Sequence, residues 1–197
     1  MPIKDGREYR SIEIRNFSTS DDEDSYIVEG YATTFDEPYV MYKDMKECIK
    51  HTALDGADMS DVIFQYNHTG MVFARNRNNT LSLMCDDHGL YVRADLKGTE
   101  GGRNLHEAIK NGLVDRMSWG FTVAEDGWEY DPETKTSYIT KVEKVYDVSA
   151  VSIPANDGTE IKARSYFDGV IEAEQQEMLQ REKDADRRRR LAISMRL

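Results

Sequence analysis

The chain has 197 residues and a formal net charge of -11, which allows one domain with a substantial core and argues against a surface built to coat nucleic-acid phosphates. Hydrophobic residues make up 39% and charged residues 32%, a balance typical of globular proteins and not of disordered chains. No apolar run approaches the roughly 18 residues that a membrane span requires, and the N-terminus lacks a signal-peptide core, so we expect a cytosolic protein that binds neither membrane nor nucleic acid.

Short apolar stretches broken by turn residues run through residues 26–167 and indicate a β-rich domain. Near the start of this domain, residues 44–56 are a candidate helix. In TLSLMCDDHGLYVRADL, apolar residues alternate on both sides of the turn residues 86–89, which predicts a β-hairpin. A short helix is predicted for TEGGRNLHEAIKNGL, because Leu105 and Ile109 share one helical face and Gly112 suits its end.

Two further strand-like segments, GFTVAEDGWEY and SYITKVEKVYDVSAVSI, flank the turn sequence DPETKT. Residues 168–197 then contain many strong helix formers and no proline, which predicts a helix of several turns. Acidic residues come early in this segment and the arginines of 187–190 come late, an order that suits the helix dipole. The sequence leaves open whether this charged helix is simply solvated or docks on a partner.

Four histidines are candidates for acid-base chemistry near neutral pH. His106 falls within the predicted helix and is expected at the surface, while His88 falls in a hairpin turn and is expected to be exposed. His51 lies in a doubtful helix and carries no further signal. His68 differs, because in VIFQYNHTG it stands where an apolar strand gives way to a turn, and functional side chains concentrate at such strand ends. A structural or exposed histidine is the alternative there.

Cys85 and His88 have the spacing C-x-x-H, which raises the possibility of a zinc site or a thiol nucleophile. A zinc site needs about four ligands, and the sequence offers no second pair at suitable spacing. We therefore expect no metal and no cofactor, with Cys85 packed inward from its strand. Cys48 is the second of only two cysteines, and both are expected to be buried thiols in a reducing compartment.

Ser118 and Asp147 both lie in strand-like segments. Ser118 shares a face with Arg116 and Gly120, and the absence of a G-x-S-x-G elbow excludes an α/β-hydrolase. An inert serine and a nucleophile both remain open on this pattern. Asp147 is an acid on an otherwise apolar strand face, and a buried carboxylate needs a partner. That partner is an arginine such as Arg116 or Arg75, or a histidine whose charge the acid stabilises.

Three segments, FQYNHTGMVFARNRNNTLSL, NGLVDRMSWGF and VYDVSAVSIPANDGTEI, resemble in order and spacing the prohead proteases of tailed phages of the HK97 type. The resemblance covers roughly residues 26–165. It implies a serine endopeptidase related in fold to the herpesvirus assembly protease, an α+β, β-rich chain built on a β-barrel surrounded by a few helices. It also implies that His68, Ser118 and Asp147 form the catalytic site, although the family usually has Glu at the third position.

The resemblance implies that the enzyme cleaves the scaffolding segment of the major capsid protein, and eventually itself, inside the immature capsid in the host cytoplasm. By the same analogy it forms a homodimer. Residues 1–167 are then a protease domain, and residues 168–197 a charged helical tail for self-cleavage or recruitment. Two alternatives stay open: a catalytically inactive capsid-assembly or scaffold-binding protein with the same barrel, and a thiol or zinc hydrolase that uses Cys85 and His88.

Overall fold

The computed structural model describes residues 7–13, 18–19, 25–152, 176, 179–181 and 183–184. A helix, α1, occupies Glu100–Lys110, and 3₁₀ turns occupy His51–Leu54 and Asn76–Asn78. The remaining regular elements are strands: β1 (Glu8–Glu13), β2 (Ser18–Thr19), β3 (Ile27–Thr34), β4 (Tyr39–Tyr42), β5 (Met45–Ile49), β6 (Ile63–Tyr66), β7 (Thr69–Arg75), β8 (Leu81–Cys85), β9 (Gly89–Asp95), β10 (Arg116–Val123), β11 (Trp128–Asp131), β12 (Thr136–Ile139) and β13 (Val142–Val151).

The strands form three sheets, with the orders β1-β10-β13-β6-β7, β11-β12-β5-β4 and β2-β3-β9-β8. The β-rich α+β class predicted from the sequence is confirmed. A barrel closes only when its first and last strands pair. In the part of the chain that the structure describes, β1 and β7 instead lie at opposite edges of the first sheet, and no sheet closes into the expected barrel.

The centre of the first sheet consists of β10 and β13, which pair antiparallel. Six consecutive residues of β10, from Met117 to Thr122, are buried on both faces, because the strand has neighbours on either side and packing above and below. This explains why its sequence, RMSWGFTV, shows little polar alternation. Trp119 stacks on Phe121 within the core, with ring centroids 3.8 Å apart.

The hairpin predicted around residues 86–89 is confirmed, and the turn predicted at DPETKT also joins two paired strands. β8 pairs with β9, and the Asp86 carboxylate accepts hydrogen bonds from the backbone N–H groups of His88 and Gly89 in the turn. β11 pairs with β12 around the Asp-Pro turn. The prediction that Cys85 packs inward is wrong: Cys85 is an exposed free thiol, because it ends an edge strand beyond the reach of the core. Cys48 is a buried free thiol, as expected.

The predicted helix is also confirmed as α1, with the Thr99 hydroxyl accepting from the backbone N–H of Gly102 at its start. Gly112 follows it with a φ of 69°, the left-handed conformation that glycine tolerates best. The expectation that His106 lies at the surface is wrong. Only 3% of His106 is exposed, because it lies beside Leu105 on the helix face that packs against the core.

Residues 44–56 do not form the candidate helix. β5 occupies the first half and pairs with β4 on one side and β12 on the other, and a 3₁₀ turn follows. Pairing on both edges outweighs the weak local helix preference of this segment.

Most of the predicted C-terminal helix, 168–197, lies outside the described residues. The residues described there, 176, 179–181 and 183–184, are helical. The chain divides into two compact units, Met1–Thr159 and Glu160–Leu197. The boundary at 167/168 between a protease domain and a tail stays a prediction. Within the described ranges, no helix combines the length and the apolar character needed to cross a membrane.

Candidate active site

His68 lies in the tight turn between β6 and β7. Asn67 and His68 have φ values of 51° and 56°, and Tyr66 faces Thr69 across them. Two consecutive left-handed residues define the type I′ hairpin turn, whose twist suits the flanking strands. The Asn67 backbone N–H donates to the carbonyl of Ala150 on β13, which fixes the turn against the sheet. The imidazole is therefore carried on a well-anchored turn at the end of β6.

Asp147 lies on β13, the strand beside β6, and Ser118 lies on β10, the next strand beyond β13. β13 runs parallel to β6, with Ala150 level with Tyr66, and β10 pairs antiparallel with β13. Ser118 faces Ser149 across that second pair. The adjacency of these three strands brings together side chains that are 50 and 79 residues apart along the chain.

The three side chains form one continuous hydrogen-bonded row. Nε2 of His68 lies 2.6 Å from Oγ of Ser118, and Nδ1 of His68 lies 2.5 Å from Oδ1 of Asp147. With the ring proton on Nδ1, the imidazole donates to the carboxylate and accepts from the serine hydroxyl. A group in this position can take the serine proton while the carboxylate stabilises the resulting imidazolium.

Burial differs along the row. Ser118 has 0% of its surface exposed and Asp147 has 3%, whereas 11% of the His68 side chain reaches solvent. Because water is largely excluded, the attraction between the carboxylate and a protonated imidazole is stronger than it would be at the surface. In this conformation Ser118 is closed to solvent.

Three residues that support this row were missed by sequence reasoning. The Ser149 hydroxyl donates to Oδ1 of Asp147 at 2.9 Å, and the Tyr9 ring meets the His68 ring edge-on, with centroids 4.5 Å apart. At Gly120, an added Cβ would lie 2.5 Å from Oδ2 of Asp147. Ser149 carried a usable signal, since residues two apart on a strand share a face. Tyr9 carried none, because β1 is remote in sequence.

Tyr9 stays a protonated phenol beside the carboxylate. Burial is the main factor that raises the pKa of Tyr9, and the negative charge of Asp147 raises it further, against a smaller lowering by Arg7. The ring therefore adds a neutral, largely apolar wall to the site on the side of β1.

The other candidate partners and sites lie elsewhere. Arg75, one of the two arginines considered for Asp147, instead pairs with Asp61 through contacts of 2.5 and 2.6 Å. His51 and His88 are exposed, and their rings contact Phe35 and Tyr31 respectively. Within the residues that the structure describes, no group of three or more His, Cys, Asp or Glu side chains is arranged to hold a metal ion, and this includes the surroundings of Cys85.

Comparison with known proteins places this chain in a family. The Caudovirus prohead serine protease profile matches residues 11–175. The chain belongs to this family. The resemblance seen in the sequence is thereby confirmed, and the matched range contains all three members of the hydrogen-bonded row.

Two individual proteins are similar to this member of the family. The prohead protease of Enterobacteria phage HK97 is 37% identical over 91 residues, which are 45% of this chain and 39% of that protein. The chain thus matches well under half of the length of this curated relative. The solved structure of the bacteriophage T4 capsid assembly protease, gp21, is similar with a TM-score of 0.41 and 11% identity, covering 76% of this chain and 100% of that one.

Proposed function

We propose that the chain is a serine endopeptidase in which Ser118 is the nucleophile, His68 the general base and acid, and Asp147 the group that orients the imidazole. The observation that carries the proposal is the pair of contacts at His68, 2.6 Å to Oγ of Ser118 and 2.5 Å to Oδ1 of Asp147. Membership of a prohead serine protease family supports the same assignment.

The reaction follows the order of these contacts. Oγ of Ser118 attacks the peptide carbonyl while Nε2 of His68 accepts its proton, and Asp147 stabilises the imidazolium that forms. The imidazolium then gives this proton to the leaving amine, and the C–N bond breaks to leave an acyl ester on Ser118. Water, deprotonated by the same imidazole, attacks the ester and releases the carboxyl product, with the proton returning to Oγ.

The aspartate is shorter than the glutamate that the family usually has, and the register of the strands accommodates it. Asp147 lies directly opposite Gly120, whose missing side chain leaves room for the carboxylate, and Ser149 holds Oδ1 from the other side. This support for the short acid favours an active site over a degenerate one.

The substrates proposed are the scaffolding segment of the major capsid protein and the protease itself, cut inside the immature capsid in the host cytoplasm. We further propose that the enzyme acts as a homodimer, and that the charged segment 168–197 serves self-cleavage or recruitment. A polar segment beyond the core can be removed without unfolding it, which supports the self-cleavage role.

A non-enzymatic role in capsid assembly is the second candidate. The observation that favours it is the complete burial of Ser118, because a nucleophile with 0% of its surface exposed does not meet a substrate in this conformation. The peptidase proposal requires cleavage that depends on the Ser118 hydroxyl, whereas the non-enzymatic role involves no cleavage by this chain.

Co-expression of the chain with the major capsid protein of its phage tests the proposal. We expect the capsid protein to be cut by the unaltered chain and to stay intact with Ser118→Ala, while Cys85→Ala cuts normally. Mass spectrometry of the products identifies the cut sites, including any in segment 168–197. Equal cleavage with and without the Ser118 hydroxyl would overturn the serine mechanism, and cleavage lost in Cys85→Ala alone would favour a thiol enzyme.

A further inference from the structure

β8 is an edge strand of the sheet with the order β2-β3-β9-β8, and it lacks the usual protection of an edge. Natural edges are blunted by charged side chains, proline, bulges or short length, since unpaired N–H and C=O groups otherwise attract another strand. β8, LSLMC, contains no charged residue and no proline, and it pairs with β9 over all five residues without a shift in register. Ser82, Met84 and Cys85 are exposed. β8 therefore has a regular, uncharged and accessible edge.

The other five edge strands that the structure describes each carry one of these protections. β1 and β11 contain charged residues, among them the inward-pointing Arg10 and the exposed Glu129. β7 and β4 have register shifts against their neighbours, and Gly70 in β7 has a φ of 78°. β2 is only two residues long. Among the described strands, β8 is thus the edge most open to pairing with another strand.

The backbone groups on this open edge belong to Leu81, Leu83 and Cys85. In an antiparallel pair, residues whose N–H and C=O groups bond to the neighbouring strand alternate with residues whose groups point away from it. At the two ends of β8, the Thr80 carbonyl accepts from a backbone N–H of β9, and the Asp86 N–H donates to a backbone carbonyl of β9. The even-numbered positions of β8 therefore face β9, and the odd-numbered positions face outward.

This pattern makes the edge complementary to itself. The three outward-facing residues are spaced symmetrically about Leu83. A two-fold axis at Leu83 therefore pairs this residue with Leu83 of a second copy, and pairs Leu81 with Cys85 of that copy. All the outward N–H and C=O groups of β8 then gain partners, as the same patch on two copies does at a two-fold interface. Ser82 lies opposite Met84 of the second copy in this arrangement.

We propose that β8 is the interface of a homodimer, in which it pairs antiparallel with β8 of a second copy about an axis at Leu83. This inference rests on the homodimer proposed above and names its surface, and it does not depend on the cleavage chemistry. Charge supports a second copy as the occupant. The acidic residues that follow β8, Asp86 and Asp87, face the uncharged Thr80 and Asn79 of the second copy, so two chains of net charge -11 pair here without opposing like charges.

Sedimentation velocity of the full-length chain over a range of concentrations tests the interface. Every sample carries Ser118→Ala, which prevents self-cleavage during the run. We expect a concentration-dependent dimer, and we expect Met84→Lys to raise its dissociation constant by about tenfold or more, because lysine places a charge on the paired edge. Val40→Lys is the matched control on the edge strand β4. Val40 is 63% exposed and Met84 56%, and the control should leave the dissociation constant unchanged.

Cysteine cross-linking tests the pairing register. Cross-strand partners that are not hydrogen-bonded have Cα atoms about 4.5 Å apart, which is within reach of a disulfide. In a Cys85→Ser background, Ser82→Cys combined with Met84→Cys should give a disulfide-linked dimer on oxidation, whereas neither substitution alone should. A dimer that Met84→Lys leaves intact, or a double variant that does not cross-link, would overturn the β8 pairing and leave the homodimer standing.

The same samples separate this inference from the proposals on which it rests. A chain that stays monomeric at every concentration would overturn both the β8 pairing and the homodimer. A chain that associates only after capsid protein is added would overturn them as well, since the occupant would then be another protein. Neither result bears on the peptidase function, which is tested by cleavage and its dependence on Ser118.

Discussion

Gly120 and Asp147 are cross-strand partners in the β10–β13 pair, and the carboxylate of Asp147 occupies the space that a side chain at position 120 would fill. The Tyr9 ring enters the same space from β1, 2.7 Å from the position of an added Cβ. The orientation of the acid toward His68 therefore depends on a residue with no side chain on the neighbouring strand.

Gly120→Ala is expected to disturb the site and the fold together. The new methyl group meets both Asp147 and Tyr9, and overpacking of this kind costs about 1–3 kcal/mol in the free energy of unfolding. Displacement of the carboxylate should also lower kcat by about tenfold or more. Urea unfolding and cleavage assays check the two effects. Gly98→Ala is the control, because a Cβ there meets nothing within 4 Å, and equal behaviour of the two variants would contradict the expectation.

Ser149→Ala is expected to lower catalytic activity with little loss of structure. Its hydroxyl donates to Oδ1 of Asp147, and loss of a hydrogen bond to a charged group is worth about 1.5–3 kcal/mol, or about tenfold or more in kcat if the acid acts in the transition state. Ser137→Ala is a matched control, since Ser137 is equally buried and its Oγ has no hydrogen-bond partner among the described residues. A rate loss shared by both variants would argue against a positioning role for Ser149.

Glu47→Gln is expected to destabilise the attachment of β1. The Arg10 guanidinium on β1 is buried and binds the Glu47 carboxylate on β5 through two hydrogen bonds, and the Tyr39 hydroxyl donates to the same carboxylate. Burial is the largest single influence and lowers the pKa of Arg10, but Glu47, with smaller contributions from Tyr39 and Glu8, raises it overall. Removing the negative charge leaves the buried Arg10 with only Glu8, 3.1 Å from Nη1, to offset its charge, and breaking a buried ion pair costs up to about 3–5 kcal/mol.

Urea unfolding measures this loss for Glu47→Gln. Asp126→Asn provides the comparison, because the Asp126–Lys141 pair is 72% and 57% exposed and should change the free energy of unfolding by less than about 1 kcal/mol. Similar small losses in the two variants would show that the Arg10–Glu47 pair does not hold β1.

His106→Leu is expected to reduce the sensitivity of the fold to acid. Burial is the main factor that lowers the pKa of His106 below its ordinary 6.5, with Glu107 raising it and Lys110 lowering it to smaller extents. The unfolded chain therefore binds the proton more readily than the folded one. The free energy of unfolding should fall as pH drops from about 6.5 through the lower pKa of the folded state.

Urea unfolding checks this prediction at about pH 7.5 and about pH 5, one above and one below the ordinary histidine pKa of about 6.5. The leucine variant should gain stability relative to the unaltered chain at the lower pH, and the gain should shrink at the higher one. Among the described residues, neither ring nitrogen of His106 has a partner at ordinary hydrogen-bond distance, and the Glu107 carboxylate lies 3.8 Å from Nδ1, so the substitution removes only this longer contact. A stability difference that is the same at both pH values would contradict the prediction.

The elements predicted correctly are those with local causes. The β8–β9 hairpin follows from turn residues that hydrogen-bond within the turn, and α1 follows from an apolar face with Thr99 and Gly112 at its ends. Predictions failed where distant strands decide. β5 forms because β4 and β12 lie beside it, and His106 is buried because its helix face meets the core.

By itself, the sequence determined the β-rich class and the resemblance to the family. A strand-end histidine and an acid on an apolar strand made His68 and Asp147 visible as candidates, whereas Ser118 was singled out by the resemblance alone. Only the tertiary structure decided that these side chains touch, since contact depends on a parallel pairing of β6 with β13 and on the register of β10. Only the structure showed that Tyr9, Gly120 and Ser149 lie beside His68 or Asp147. Register is set by the packing of whole sheets, and a shift of one residue would turn the serine to the opposite face.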